Sequence, residues 1–139
     1  RHDPPHPEEL SNAIGEVQDL FDDVLRINPS IKDVQQIIGT AGTIVTVAAI
    51  EIGQQVFDAN ELQGFQLTRD AIEDVFRTLA TESLADRRHN PGLPPERADV
   101  IVGGCCVLVA LMRALDAQEL IVSTNNILDG VCAELLNNL

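Results

Sequence analysis

This sequence has almost no aromatic residues: they make up 3% of its 139 residues, and Trp and Tyr are absent. Its core must therefore be built from aliphatic side chains, and hydrophobic residues make up 45% of the chain. That share is typical of a folded globular protein and excludes an intrinsically disordered one. A chain of this length can bury one substantial core, which predicts a single folded unit.

Basic residues are also scarce. Nine Lys and Arg stand against 22 Asp and Glu, so the net charge is −13 and the sequence pI is near 4.3. Binding to DNA or to an anionic membrane surface requires Lys and Arg to neutralise phosphates, so the composition argues against both partners. Solubility is the simplest explanation of the acidic charge. Arg87, Arg88 and Arg97 nevertheless lie close together in the sequence and can form a local basic site.

Long hydrophobic runs are missing as well. The longest, residues 100–112, is too short to span a bilayer. The first residues are polar and rich in proline, unlike a signal peptide, so we expect a cytoplasmic protein. The cysteines Cys105, Cys106 and Cys132 are odd in number and lack metal-ligand spacing. We interpret them as small buried side chains rather than redox groups.

The spacing of apolar residues predicts a mostly helical α/β chain with two short strands. The predicted order is a helix at 7–26, a strand at 34–38, a helix at 43–53, a loop at 54–67, a helix after Thr68, a helical turn at 83–88, a long helix at 95–115, a strand at 120–122, and a final helix capped within 123–125. Strands separated by helices pair in parallel. Two short strands do not form an independent sheet, so the chain is expected to belong to a larger domain whose first strands are absent.

The turn after the first predicted strand has the composition of an anion-binding turn. Gly39, Thr40, Gly42 and Thr43 follow an apolar strand and precede an apolar helix. Glycines allow close backbone approach, hydroxyls offer donors, and the amides at a helix start favour an anion. The alternative is a tight turn whose glycines serve packing alone, because a short glycine motif is weak evidence.

A second segment, residues 91–101, places Arg97 in the first turn of the long helix behind a proline-rich elbow. Its guanidinium is a planar fork that matches phosphate. A cation at that position opposes the helix dipole, so an acid or a ligand should compensate it. The alternative role is a structural bond to Glu96 or Asp99. Arg87 and Arg88 are additional candidates for the same ligand, with a solvated or loop-closing role as the simpler interpretation.

Taken in this order, the segments resemble the exopolyphosphatase/guanosine pentaphosphate phosphatase (Ppx/GppA) family. The resemblance lies in residues 3–10, 39–43, 46–49, 57–58, 64–68, 86–93, 97–101 and 120–130, and the block beginning at Arg97 is the most specific. It covers nearly the whole chain. The sequence departs from the family pattern at Gln63, where histidine is common, at 124–126, where Asp and Gly are common, and at Leu128, where arginine is frequent.

The resemblance implies a ribonuclease H-like fold of the sugar kinase/Hsp70/actin superfamily, in which two domains face each other across a cleft. It implies that residues 1–139 are the C-terminal part of the second domain, without the first domain and the opening strands of the second. The parent protein would release terminal phosphate from polyphosphate or guanosine pentaphosphate by Mg²⁺-assisted water attack. The catalytic glutamate and the acidic metal ligands are expected outside this chain, so the fragment alone should be inactive.

The resemblance also makes Gly39, Thr40, Gly42, Thr43 and Arg97 the expected phosphate- or nucleotide-binding residues, and implies a homodimer. No catalytic or metal-binding residue is expected within the chain. Two alternatives from other classes remain: a regulatory module that binds an alarmone or polyphosphate without hydrolysis, and an assembly piece whose apolar helices mediate association. An unpaired sheet edge predicts that the isolated chain self-associates or is marginally stable.

Overall fold

The computed structural model describes residues 2–137, which form seven α-helices around a small sheet of three strands. The helices are α1 (Pro7–Ile27), α2 (Gly42–Glu51), α3 (Ala59–Leu62), α4 (Arg69–Thr81), α5 (Leu84–Arg87), α6 (Ile101–Ala114) and α7 (Ile127–Asn137). The strands are β1 (Ile38–Gly39), β2 (Gln66–Thr68) and β3 (Glu119–Val122), and single 3-10 turns occupy Pro29–Asp33 and Pro95–Arg97. No helix in this part of the chain is long and apolar enough to cross a membrane.

The sheet has the order β1-β3-β2 and is mixed. β1 runs parallel to β3, with Ile38 opposite Ile121, which confirms the predicted parallel pair. β2 runs antiparallel to β3, with Leu67 opposite Leu120. This third strand overlaps the end of the predicted loop 54–67 and was not predicted, because three residues are too few to show an alternating pattern.

The predicted strand 34–38 is wrong at its start. Val34 is 50% exposed, and the pairing with β3 begins only where the amide of Ile121 donates to the carbonyl of Ile37, at 2.9 Å. The strand then ends at Gly39, so β1 is two residues long. An apolar run alone does not distinguish a paired strand from an extended segment that lacks a neighbour.

The core is aliphatic, as the composition predicts, and α6 lies at its centre between α1 and α4. Side chains on most faces of α6 are buried, among them Ile101, Leu108, Val109 and Met112. α2 packs against both α4 and α6 and is buried over residues 46–49. This packing holds the start of α2 close to the segment that leads into α6.

The long helix begins later than predicted. Pro95–Arg97 form a 3-10 turn, in which the amide of Arg97 donates to the carbonyl of Pro94 at 2.8 Å, and α6 starts only at Ile101. The prediction that Arg97 lies in the first helical turn is therefore wrong by one turn. Proline suits the first position of either helix type, so the sequence does not distinguish them.

The helix caps were predicted with mixed success. The Thr68 hydroxyl accepts from the amide of Ala71 at 3.2 Å and caps α4, as predicted. The last helix is capped by Asn126, whose side-chain oxygen accepts from the amide of Leu128 at 2.8 Å. The predicted cap within residues 123–125 is wrong because these residues are held by other partners.

α7 stands apart from the core, and none of its residues is buried. Ile127, Leu128 and Leu136 are 82%, 70% and 70% exposed, respectively. The helix is apolar on average, so its side chains leave a hydrophobic surface in contact with water. Surfaces of this kind in folded proteins are generally interaction sites.

Candidate anion-binding site

The turn between β1 and α2 presents helix amides that no side chain caps. α2 begins at Gly42, and its N-cap, Ala41, has no side chain that can accept from the first amides. The first intrahelical bond is that from the amide of Val45 to the carbonyl of Ala41, at 3.2 Å. The preceding amides of a helix point outward and need an external acceptor. This start of α2 is therefore suited to an anion.

Ala41 holds a strained backbone conformation at this turn, with φ 73° and ψ 174°. This region of backbone space is essentially restricted to glycine, and a residue with a Cβ atom in it costs about 1–3 kcal/mol. Such strain persists only where the surrounding structure fixes it, and it is concentrated at binding sites. The strained residue directly precedes the uncapped amides.

Arg97 lies against the backbone of this turn. A Cβ atom placed on Gly42 would overlap the central carbon and both terminal nitrogens of the Arg97 guanidinium. Only glycine therefore leaves room for the guanidinium at this position. The two segments singled out in the sequence analysis are thus brought together, and they face a common site.

The charge of Arg97 is not balanced by any acid within residues 2–137. It forms no ion pair there, neither with Glu96 nor with Asp99, and its Nε atom is buried without a hydrogen-bond partner. The guanidinium also lies beside the positive end of α2 and shortly before that of α6. A positive side chain and the positive start of a helix thus lie together on an otherwise acidic protein, and the structural alternative for Arg97 loses its expected partners.

Two of the predicted site residues are used by the fold itself. The hydroxyl of Thr40 donates to the carbonyl of Asn125 at 2.5 Å, which ties the turn to the connection between β3 and α7. Gly39 is buried, and a Cβ atom there would meet the side chains of Ile44 and Leu120. Packing is sufficient to explain this glycine. Both residues therefore have a role in the fold that requires no ligand.

The side chain of Thr43 packs against a glycine of α6, Gly104. A Cβ atom on Gly104 would lie 2.5 Å from the Thr43 Oγ1 atom and 2.9 Å from its methyl carbon. The sequence analysis missed Gly104. The signal that could have identified it is a glycine pair inside an otherwise apolar helix, which generally has a packing reason.

Arg87 is buried and structural, so it is removed from the ligand candidates. Its guanidinium donates to the carbonyls of Leu79, Glu82 and Ala98 at 2.9, 3.0 and 3.1 Å. It also pairs with Asp3 at 3.2 Å. It thus fixes the proline-rich start of the chain to α4, α5 and the segment before α6.

Arg88 is exposed and lies away from the Arg97 site. It lines an open groove of about 420 Å³ below the proline elbow, together with Phe57, Gly92 and Ala49. Gly92 touches the backbone of Ala49 near the end of α2. Ala49 is seven residues beyond Gly42, which corresponds to about 10 Å along a helix. The structure does not bring Arg88 to the start of α2.

Acidic and thiol groups near the core offer neither a metal site nor an activated nucleophile. Within residues 2–137, no group of three or more His, Cys, Asp or Glu side chains could hold a metal ion. Burial raises the pKa of Cys105 to about 12, and it also raises the pKa of Cys106. Cys132 is exposed, so the interpretation of all three cysteines as buried is wrong for this one.

The fold agrees with comparisons to known proteins. The family profile described as the Ppx/GppA phosphatase family matches residues 2–139. The chain belongs to this family. The resemblance drawn from the segments around Gly42 and Arg97 is thereby confirmed.

The relatives are longer than this chain. Exopolyphosphatase 2 of Mycobacterium tuberculosis is 30% identical over 137 residues, which are 96% of this chain and 43% of that protein. The crystal structure of the Aquifex aeolicus member of the Ppx/GppA family is 26% identical, with a TM-score of 0.87 over 99% of this chain and 44% of that one. An exopolyphosphatase structure from Cytophaga hutchinsonii shares the fold at 22% identity, with a TM-score of 0.77 over 99% of this chain and 45% of that one. The predicted fold class is confirmed, and this chain spans less than half the length of these relatives.

Proposed function

We propose that this chain is the phosphate-binding wall of a longer phosphatase that removes the terminal phosphate of a phosphoanhydride chain. Arg97 and the uncapped start of α2 hold the substrate, and the groups that cleave it belong to polypeptide outside this chain. The observation that carries the proposal is the guanidinium of Arg97 seated on Gly42, with no ion-pair partner among the described residues and with its Nε atom buried and without a hydrogen-bond partner there.

The chemistry needs three contributions: a base that orients the attacking water, donors that hold the transferred phosphoryl group, and contacts that fix the rest of the substrate. Arg97 can donate two parallel hydrogen bonds to phosphate oxygens, and the amides of Gly42 and Thr43 can donate to another. Mg²⁺ would neutralise charge on the phosphoryl oxygens when bound. The described residues do not fit a magnesium site, since no carboxylate group of the required size converges.

We assign residues 1–139 to the C-terminal part of the second domain of that phosphatase. Two exposed features support this assignment. The outer edge of β1 has no neighbouring strand in the described chain, and Ile38 on it is 65% exposed. α7 leaves its apolar side chains in water. Additional strands of the longer protein would pair with this edge and cover part of this surface.

The substrate proposed first is polyphosphate, and guanosine pentaphosphate is the second. Both end in phosphoanhydrides, and the proposal for polyphosphate is supported by the name of the relative from Mycobacterium tuberculosis, an exopolyphosphatase. We further propose a cytoplasmic homodimer. The alternative function is a regulatory module that binds the same anions without hydrolysis, and it shares the Arg97 site.

The decisive experiment measures orthophosphate release by the longer protein that contains this chain, from polyphosphate and from guanosine pentaphosphate, with and without Mg²⁺. We expect Arg97→Gln to lower kcat/KM by about 100-fold, the size seen when one donor to a developing oxyanion is removed. Arg88→Gln is the matched control, because Arg88 is exposed and unpaired within residues 2–137, and it should leave the rate unchanged.

The same preparation distinguishes the two functions. Tight binding of either anion without turnover, lost in Arg97→Gln, would favour the regulatory module. The absence of both turnover and binding would overturn the proposal. The isolated chain of 139 residues should release no phosphate, and turnover by it would show that the cleaving groups have been assigned wrongly.

A further inference from the structure

We propose that Gly104 is a positioning residue: it sets the distance between α6 and the first turn of α2, and with it the geometry of the anion site. This inference rests on the proposed function of that site. The three heavy atoms nearest to an added Cβ atom at Gly104 all belong to Thr43, so an effect of this position on binding would act through the start of α2.

The contact between the two elements is reciprocal. The start of α2 contributes Gly42 and the segment before α6 contributes the guanidinium of Arg97 that lies on it. α6 in turn contributes Gly104, and α2 contributes the side chain of Thr43 that lies on this glycine. The start of α2 thus supplies Gly42 and the side chain of Thr43. α6 supplies Gly104, and the segment before it supplies the side chain of Arg97. The two contacts together fix Arg97 relative to the uncapped amides.

The Thr43 contact is stiff. Both branches of this side chain face Gly104, with Oγ1 at 2.5 Å, the methyl carbon at 2.9 Å and Cβ at 3.3 Å from an added Cβ atom. A β-branched side chain has few alternative rotamers, and rotation exchanges one close branch for another. The Cβ atom, at 3.3 Å, is the mildest of the three contacts, so the two branches account for most of the overlap. An added methyl group at position 104 must therefore push the backbone of the first turn of α2 away.

The neighbouring glycine provides an internal comparison. A Cβ atom on Gly103 would meet nothing within 4 Å, and Gly103 is exposed on the same helix. Both glycines lie at adjacent positions in the first turn of α6, so replacement by alanine changes helix propensity by a similar amount. The two positions differ in the contact with Thr43. A difference between the two alanine variants therefore reports that contact.

The test is the binding of tripolyphosphate to the longer protein and to its variants, measured by titration calorimetry, with the midpoint of thermal unfolding measured in parallel. Loss of a charge-assisted hydrogen bond to phosphate weakens binding by about tenfold or more. We expect Gly104→Ala to show about this loss, and Gly103→Ala to bind as the wild type does. Arg97→Gln reports the site itself and should also lose binding.

A rescue variant distinguishes positioning from general damage to the fold. Serine at position 43 lacks the methyl group, and its hydroxyl can rotate away from the added methyl of Gly104→Ala. We expect Thr43→Ser combined with Gly104→Ala to bind within about threefold of Thr43→Ser alone, because the two positions are coupled. A merely destabilised helix would not be rescued in this way.

The possible outcomes distinguish the role of Gly104 from the proposed anion site itself. Equal affinities of Gly104→Ala and Gly103→Ala, with Arg97→Gln impaired, would overturn the role of Gly104 and leave the proposed function intact. Failure of the wild type to bind tripolyphosphate, or full binding by Arg97→Gln, would overturn the proposed site and this inference with it. A loss in Gly104→Ala that Thr43→Ser does not relieve would also refute positioning through Thr43.

Discussion

The side-chain oxygen of Gln63 accepts hydrogen bonds from both the backbone amide and the hydroxyl of Thr124, at 2.7 and 2.8 Å, although 61 residues separate them. The glutamine and the threonine thus form one contact that fastens the connection between β3 and α7. With the bond from Thr40 to Asn125, this connection is held at two points beside the anion site.

Removing this contact should loosen the connection without unfolding the protein. We expect Gln63→Ala to lower the free energy of unfolding by about 1 kcal/mol, the net value of a typical hydrogen bond. Hydrogen exchange at the Thr124 amide should accelerate, because that amide loses its acceptor. Gln36→Ala is the control, since Gln36 is exposed and forms no hydrogen bond within residues 2–137. Unchanged exchange at Thr124 would contradict the assigned role of Gln63.

Arg87 and Arg88 are neighbours in the sequence, but their replacement should affect stability to very different extents. Arg87→Ala leaves three carbonyl oxygens without their donor and should cost about 3 kcal/mol, since one unsatisfied buried polar group costs about 1–3 kcal/mol. Arg88→Ala should change stability by no more than about 0.5 kcal/mol, as exposed substitutions generally do. Denaturant unfolding of both variants measures the difference, and similar values for the two would refute the buried role of Arg87.

Gly42→Ala should separate binding from stability at the anion site. The overlapping atoms belong to the far end of Arg97, which can move into solvent, so we expect a change in unfolding free energy below about 1 kcal/mol. The displaced guanidinium should weaken tripolyphosphate binding about as much as Arg97→Gln does. Calorimetric titration measures this effect. Wild-type affinity in Gly42→Ala would mean that Arg97 does not bind the ligand from its observed position.

Glu9 should contribute to the acid dependence of stability. Its carboxylate accepts from the backbone amide of His6 at 2.9 Å. This bond is the largest cause that lowers the pKa of Glu9 from 4.5 to about 2, and hydrogen bonds and charge from His2 add to it. The stabilisation is therefore complete above about pH 4.5 and is lost as the pH falls from 4.5 towards 2. Glu9→Gln should flatten the unfolding profile in that interval, whereas Glu8→Gln should not. Identical acid profiles for the two variants would show that the bond adds no stability.

The three thiols should differ in reactivity. Burial raises the pKa of Cys105 to about 12, and the pKa of Cys106 is also raised, so neither thiol forms the reactive thiolate near pH 8. Cys132 is exposed on α7. We expect one thiol of the native chain to react rapidly with a disulfide reagent, and Cys132→Ser to abolish that fast phase. Fast labelling of two or more thiols would contradict the buried positions.

The sequence was sufficient for the helices whose apolar faces are long and regular, and for the parallel pairing of β1 with β3. Prediction from the sequence failed where an element depends on a contact with residues that are distant in the chain. β2 is defined by its pairing with β3. The cap of α7 lies at Asn126 because two residues of the predicted cap range, Thr124 and Asn125, are held by Gln63 and Thr40. Local propensity contains no information on such contacts.

The candidate site shows the same division. The residue types at Gly42 and Arg97 were identified from the turn and the elbow, but the contact between them depends on how α2 packs against α6. The sequence could not distinguish a structural role from a ligand-binding role for Gly39 or for Arg87. A glycine that packs and a glycine that admits a ligand are the same residue type, and so are a buried arginine and one that binds phosphate. Gly104 was missed because its function depends on the side chain opposite.

α7 lacks buried side chains, so its backbone amides are protected by little more than the hydrogen bonds of the helix itself. Segments of this kind open at the low end of the free-energy scale, well before the remaining structure unfolds. The isolated chain should accordingly be cleaved by protease at two rates: rapidly after residue 126, and slowly within the structure that packs around α6. In the longer protein, a domain that covers α7 would protect it, and the rapid cleavage would disappear.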